Sequence, residues 1–306
     1  MHLTKYGLPA VLSPVLTPFL ASGIPDAKRL IKQCQWLDHS GVGQAIFGTN
    51  SEANSMAASQ KLHLLDELIK GGINPKHLMP GTGACSIQET VEMTKAAVTL
   101  GCAGTLMLPP FYYKDVPDEG LFNFYASVIE QVADSRLKVY VYNIPPVSKV
   151  ALSLTLLERL VKAFPSTIVG IKDSSGDWSY TESVISCLAP SNFQVYAGSE
   201  TFLLKTLRSG GVGCISATAN INPLAIAQLA KTWQDSNADE QQKALDVVRA
   251  TFSQYPMIPA MKAAVAYFSQ DSLWGHVLPP LVDLSREQSQ SLIKGLHKIN
   301  FAMTGL

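Results

Sequence analysis

Lys172 closes an unbroken apolar run, Ile168-Val169-Gly170-Ile171, and a lysine in that setting has a particular chemistry open to it. A low-dielectric environment disfavours the ammonium form of a lysine, and the neutral amine attacks a carbonyl carbon. The imine that forms, once protonated, withdraws electrons from the adjacent carbon, so that a C–C bond is made or broken there without a metal or an organic cofactor. Such a step also needs protons moved. Tyr142, at the end of the apolar run 138–142, offers a phenolic hydroxyl, and Thr49, after the run 44–47, offers a second one to relay protons between Tyr142 and solvent or substrate. Taken singly, each has a plainer reading: a solvated surface charge for Lys172, a core tyrosine for Tyr142, a helix cap for Thr49. These plainer readings are the commoner ones for single residues, and the chemical reading stands beside them.

The placement of these residues follows from the elements around them. Short apolar runs alternate along the chain with longer segments of helical spacing, the pattern of an α/β fold with a parallel sheet. Candidate strands lie near residues 10–16, 44–47, 78–80, 105–108, 138–142, 168–171, 193–197 and 212–215. Most do not alternate, as expected of strands covered on both faces. Eight such strands predict a (β/α)8 TIM barrel, whose sites form at the C-terminal ends of the strands, where Thr49, Tyr142 and Lys172 all fall. Leu30, Cys34 and Leu37 recur at helical intervals, as do Leu62, Leu65 and Ile69 ahead of Gly71-Gly72, whose glycines suit a helix C-cap. The strand signal stops after Ile215. The predicted division is a barrel over residues 1–224, carrying the active site, and a C-terminal helical appendage over 225–306. In the latter, Asn237 and Glu240 have capping-box spacing, Leu245, Val248 and Phe252 share a helix face, and 255–259 punctuates before another helix.

Composition narrows the partners. With 306 residues, 47% of them apolar, the chain can bury a large core, and its 24 basic residues balance 24 acidic ones, so it lacks the basic excess that attracts nucleic acid or an anionic membrane. A small-molecule partner is expected. The N-terminal stretch lacks the pattern of a secretory leader, and no run approaches membrane-spanning length, which predicts a cytoplasmic protein. Five scattered cysteines with no C-x-x-C pair predict reduced thiols packed mostly in the interior. No H-E-x-x-H arrangement occurs, and the glycine-rich stretches at 81–83 and 210–213 lack Walker spacing, so neither a metal nor a nucleotide cofactor is expected. Glu52 is expected to stabilise a helix N-terminus.

Six segments in order carry a resemblance: Gly48-Thr49-Asn50-Ser51-Glu52, Pro110-Phe111-Tyr112-Tyr113, Tyr142-Asn143-Ile144-Pro145, Gly170-Ile171-Lys172-Asp173, Ala197-Gly198-Ser199-Glu200, and residues 213–220, Gly-Cys-Ile-Ser-Ala-Thr-Ala-Asn. Together they resemble the dihydrodipicolinate synthase and N-acetylneuraminate lyase family of pyruvate-dependent class I aldolases, over most of the chain. The resemblance implies that Lys172 carries the Schiff base, that Tyr142 is the general acid–base, and that Thr49 links it to Tyr113, which reaches into a neighbouring subunit's site. It implies a homodimer, usually paired into a homotetramer. It also implies that the turn after Gly48 binds the pyruvate carboxylate through backbone N–H groups and Asn50, and that Gly198 and the Ile215 carbonyl line the substrate site.

Departures from the pattern bear on the substrate. In the synthases of lysine biosynthesis a basic residue soon after the Tyr-Asn-x-Pro motif grips the second substrate's carboxylate, whereas Val147 stands at that position here, with Lys149 two residues on. An apolar side chain cannot pair with a carboxylate, which points away from aspartate semialdehyde. Asn50 and Ser51 replace the usual threonine and glycine, and the turn is similar to that of 4-hydroxy-2-oxoglutarate and deoxy-hexulosonate aldolases. Ser51 would be strained if the turn required a positive φ there. The resulting expectation is a lyase or aldolase joining pyruvate, or a related 2-oxo acid, to an aldehyde. Alternatives are a dihydrodipicolinate synthase in which Lys149 substitutes for the arginine, a deoxy-sugar-acid dehydratase using the same imine, and a non-catalytic 2-oxo-acid sensor.

Overall fold

The apolar runs form seven parallel strands in a computed structural model that describes residues 3–306. They are β1 (Val11–Ser13), β2 (Gly43–Gln44), β3 (Thr105–Met107), β4 (Val139–Asn143), β5 (Ile168–Asp173), β6 (Gln194–Ala197) and β7 (Gly213–Ile215). Their spatial order is β2-β1-β7-β6-β5-β4-β3. The expected strand at 78–80 is an irregular segment that still spans the two edges. Met79 N–H donates to the Gln44 carbonyl (2.9 Å) and Gly81 N–H to that of Ile46 (2.7 Å), while Leu106 N–H donates to the Pro80 carbonyl (2.8 Å). Pro80 has no N–H to give back, which interrupts the ladder without breaking the ring. The hydrogen-bonded ring therefore closes, in the manner of a TIM-type α/β barrel.

The ring is filled, not open. Leu12, Ala45, Met79, Leu106, Tyr140, Tyr142, Val169, Tyr196 and Ile215 form one buried cluster inside it. Outside, amphipathic helices cover the strands. Leu30, Cys34 and Leu37 of the helix Ala27–His39 are buried as their spacing predicted, each buried leucine contributing about 1.5–3 kcal/mol. Gly71 caps the helix Ala58–Lys70, whose buried residues are Lys61, Leu64, Leu65 and Leu68.

One irregularity decides which way the reactive lysine points. Val139 pairs with Ile168, but Tyr140 pairs with Gly170, so β5 carries an extra residue at Val169. A one-residue bulge moves every later side chain to the opposite face. Val139 and Ile168 pack outward against the helices, and beyond the bulge Lys172 pairs with Tyr142, whose ring lies in the interior cluster. Gly170 belongs to the same device. A Cβ there would sit 2.5 Å from the Tyr140 ring, so only glycine fits beside that tyrosine.

After β7 the chain is helical. The helix Pro223–Thr232 packs Ile226 and Leu229 against the barrel's outer core. Ala238–Phe252, Met257–Ser269 and Arg286–Lys298 follow. Their apolar faces enclose Leu16, Ala217 and Ile221, which lie just beyond β1 and β7, so these helices pack at the C-terminal end of the strands. Asn237 precedes Ala238–Phe252 but makes no cap hydrogen bond to the backbone, and its side chain instead accepts from Gln241 Nε2 at 2.9 Å. The expected capping box at 237–240 is thus absent. All five cysteines are free, yet only Cys34 and Cys214 are buried, while Cys85 and Cys187 are exposed, which corrects the expectation of a mostly interior set.

Candidate active site

Lys172 and Tyr142 are cross-strand neighbours near the C-terminal ends of β5 and β4. Lys172 is 2% exposed and Tyr142 4%, and the lysine Nζ lies 4.4 Å from the centroid of the tyrosine ring. Among the described residues no carboxylate stands within salt-bridge reach of Lys172. Three tyrosines share the barrel interior, and two are committed: Tyr140 donates to Gln194 Oε1 (2.6 Å) and Tyr196 to the Pro9 carbonyl (3.1 Å). The Tyr142 hydroxyl makes no such bond among the described residues. Tyr142 lines a cavity at the strand end, where an unpartnered hydroxyl is placed to meet a ligand. Cys214, on β7, is no rival nucleophile. Burial pushes its thiol well above the ordinary range, with Glu200 adding to the shift and Lys172 opposing it.

Thr49 lies on the 310 turn Thr49–Ser51 after β2, and it lines one cavity together with Tyr142, Gly48, Gly81 and Gly83. As the first residues of their turn, Thr49 and Asn50 have no turn carbonyl to accept their N–H groups, which leaves two donors side by side. The turn is firmly anchored. Ser51 Oγ donates to the Val15 carbonyl (2.5 Å) and accepts from Gly48 N–H (3.2 Å), and Thr17 Oγ1 donates to the Ser51 carbonyl (2.8 Å). Positive φ falls on Phe47 (60°) and Glu52 (56°), not on Ser51, so serine is accommodated without backbone strain.

Glu52 stands at the N-terminus of the 310 turn Ala53–Ser55, but its side chain makes no cap hydrogen bond there. Its side chain is buried and ion-paired to the equally buried Lys262, and its Oε2 accepts from Leu278 N–H at 2.6 Å. Burial pulls the Lys262 ammonium below the usual lysine range, and the Glu52 carboxylate opposes that pull. Lys262 lies outside the residues that the sequence motifs single out. Its signal was a single charge in the otherwise uncharged helix Met257–Ser269.

A second set of contacts joins the strand ends. Asn143 Nδ2 donates to Asp173 Oδ1 (2.8 Å), and Asp173 also accepts from Ser175 and from Thr181 Oγ1 (2.5 Å), fastening the residue that follows Lys172. Buried Glu200 accepts from the Ser216 and Thr218 hydroxyls and pairs with Arg249 (3.3 Å). Ile215 is fully buried in the interior cluster beside Tyr142. Gly198 N–H donates to the Asp173 carbonyl (2.6 Å), and a Cβ on Gly198 would lie 2.0 Å from Ser174 Oγ and 2.8 Å from that carbonyl. Gly198→Ala is therefore expected to displace residues 173–174 and to cost about 1–3 kcal/mol. Thermal melts check this: Ser174→Gly in the same chain should recover part of the loss, and an unaltered melting temperature in Gly198→Ala would refute it.

Tyr113 stands apart. It is 73% exposed, next to Tyr112 at 74%, with their rings edge to face at 5.3 Å. Lys114 ties this loop down through the carbonyls of Phe111 and Ser148 (3.1 Å for the latter). Val147, on the short helix Pro145–Ser148, is 61% exposed.

A buried lysine beside an uncommitted phenol at the mouth of a parallel α/β barrel is an arrangement able to do Schiff-base chemistry. The sequence pattern of the Dihydrodipicolinate synthetase family matches residues 8–299, and the chain belongs to that family. Family members are class I lyases that form a Schiff base with pyruvate, and this chain is an enzyme of that class. The 4-hydroxy-tetrahydrodipicolinate synthase of Methanococcoides burtonii is 28% identical, over 94% of this chain and 97% of its own length. Among solved structures, dihydrodipicolinate synthase from Agrobacterium tumefaciens superposes with a TM-score of 0.87 at 29% identity, covering 95% of this chain and 99% of that one. YagE, a prophage protein of the same family from E. coli K12 solved in complex with pyruvate, gives 0.88 at 26% identity, covering 96% and 99%. Among the described residues no helix is long and apolar enough to cross a membrane.

Proposed function

We propose that the chain is a 2-oxo-acid lyase that makes or cleaves an aldol bond between pyruvate and an aldehyde. The observation that carries the reading is the pairing of buried Lys172 with the uncommitted phenol of Tyr142 on the next strand. Lys172 Nζ adds to the keto carbon and water leaves, giving the imine, and Tyr142 moves the protons that this addition and the later C–C step require. Thr49, in the same cavity, relays those protons onward, and the exposed Tyr113 completes the relay in the site of a second copy, which makes the working form a homodimer or a homotetramer. The free N–H groups of Thr49 and Asn50, with the Asn50 side chain, hold the carboxylate. The Ile215 carbonyl and Gly198 bound the substrate site.

An apolar, exposed Val147 favours an aldehyde without a carboxylate at that position over aspartate semialdehyde. The expected result is low synthase activity in the native chain with aspartate semialdehyde and a rise of about tenfold or more in Val147→Arg, the scale of one charged hydrogen-bonded contact. Pyruvate consumption measured across a panel of aldehydes tests both the general reading and this preference. Efficient synthesis by the native chain would overturn the preference, and no consumption with any aldehyde would overturn the reading.

A further inference from the structure

We infer that the buried ion pair between Glu52 and Lys262 is a positioning device: through it the C-terminal helices set how tightly the turn at 48–52 holds the carboxylate of a 2-oxo acid. The inference rests on the reading of that turn as the carboxylate site. Both side chains are wholly shielded from solvent. Lys262 Nζ also donates to the His276 carbonyl (2.7 Å) and lies 4.3 Å from the Phe19 ring centroid. The second oxygen of Glu52 takes the Leu278 N–H. A single carboxylate thus draws together the end of the 48–52 turn, the helix Met257–Ser269 and the segment 276–278.

The backbone shows why the anchor matters. Glu52 has φ 56° and ψ 34°, a left-handed conformation that an L-residue with a side chain avoids unless its surroundings hold it. It ends the turn Thr49–Ser51 and begins the next, Ala53–Ser55, and its N–H closes the first turn on the Thr49 carbonyl (3.1 Å), so anchoring Glu52 holds the turn that presents the Thr49 and Asn50 N–H groups. A buried ion pair is a poor source of stability, since well-packed apolar groups of the same volume often do as well. It is a good source of direction, because charge and hydrogen bonds fix the carboxylate where packing alone would leave rotamers open. Neither residue lies among the groups that meet the substrate in the proposed mechanism.

The test compares the full-length native chain with Glu52→Gln/Lys262→Met, which removes both charges together and keeps the volume. Three quantities are read: the melting temperature, the pyruvate concentration for half-maximal borohydride trapping on Lys172, and hydrogen–deuterium exchange of the peptide containing 48–56. The expected result is a folded protein with half-saturation raised tenfold or more, an unchanged trapping yield at saturating pyruvate, and faster exchange confined to that peptide and to 276–278. Unaltered half-saturation and exchange in a folded double variant would show the pair to be only structural. Should the double variant not fold, Glu52→Gln decides the matter, since its amide oxygen still accepts from Leu278: half-saturation raised at least threefold supports positioning, and an unmoved value overturns it. Exchange needs no substrate. If the native chain forms no adduct, the proposed function fails, while anchoring of the turn is still judged by exchange.

Discussion

Lys172→Met is expected to lower turnover with pyruvate and any accepted aldehyde by roughly a thousandfold or more, the scale on which losing a covalent nucleophile costs an enzyme. Methionine fills nearly the volume of the lysine stem and suits a buried site, so the cavity and its neighbours stay in place. Stability should hold or rise, because a buried amine with no ion-pair partner among the described residues gives way to an apolar group. Loss of activity together with an unchanged or higher melting temperature is therefore the expected signature. Retained turnover in a folded Lys172→Met would remove the lysine from the chemistry.

Tyr142→Phe separates binding from proton transfer. It keeps the ring that faces Lys172 Nζ at 4.4 Å and deletes only the hydroxyl. General acid–base groups contribute about 10²–10⁴-fold, so turnover should fall by that factor. Imine formation, which water can assist, should be slowed but still reach a trappable adduct. Pre-steady-state trapping alongside steady-state assays reads the two effects apart. Equal turnover in the native and Tyr142→Phe chains would reject the assignment, and the two committed tyrosines, Tyr140 and Tyr196, serve as contrasts because their hydroxyls are already bound to Gln194 and to the Pro9 carbonyl.

Much of this arrangement was legible in the sequence, and the failures have identifiable causes. Seven of the expected strand regions hold regular strands because unalternating apolar runs between helices have few other uses. The region at 78–80 reads as apolar too, but Pro80 cannot donate, so the ladder there reduces to bridges. Lys172 was found from its place at the end of such a run. Its direction was not readable, since strict alternation from Ile168 turns Lys172 outward, and only the bulge at Val169 brings it in beside Tyr142. Glu52 was misread for a related reason. Its spacing from the turn suggests a local role at a helix start, whereas its partner Lys262 lies in the C-terminal helices, and nothing local in either stretch names the other. The concern over Ser51 dissolved because the left-handed positions fell on its neighbours, leaving its hydroxyl free to fasten the turn to the end of β1.

A covalent bond between Lys172 and a keto acid is the central step of the proposed chemistry, and that bond is directly measurable. The native protein is incubated with pyruvate and sodium borohydride, digested, and its peptides weighed. The expected result is the mass of a reduced pyruvate adduct on the peptide carrying Lys172, formed only when both reagents are present and absent from Lys172→Met. An unmodified Lys172 peptide, or the adduct confined to other lysines, would contradict it.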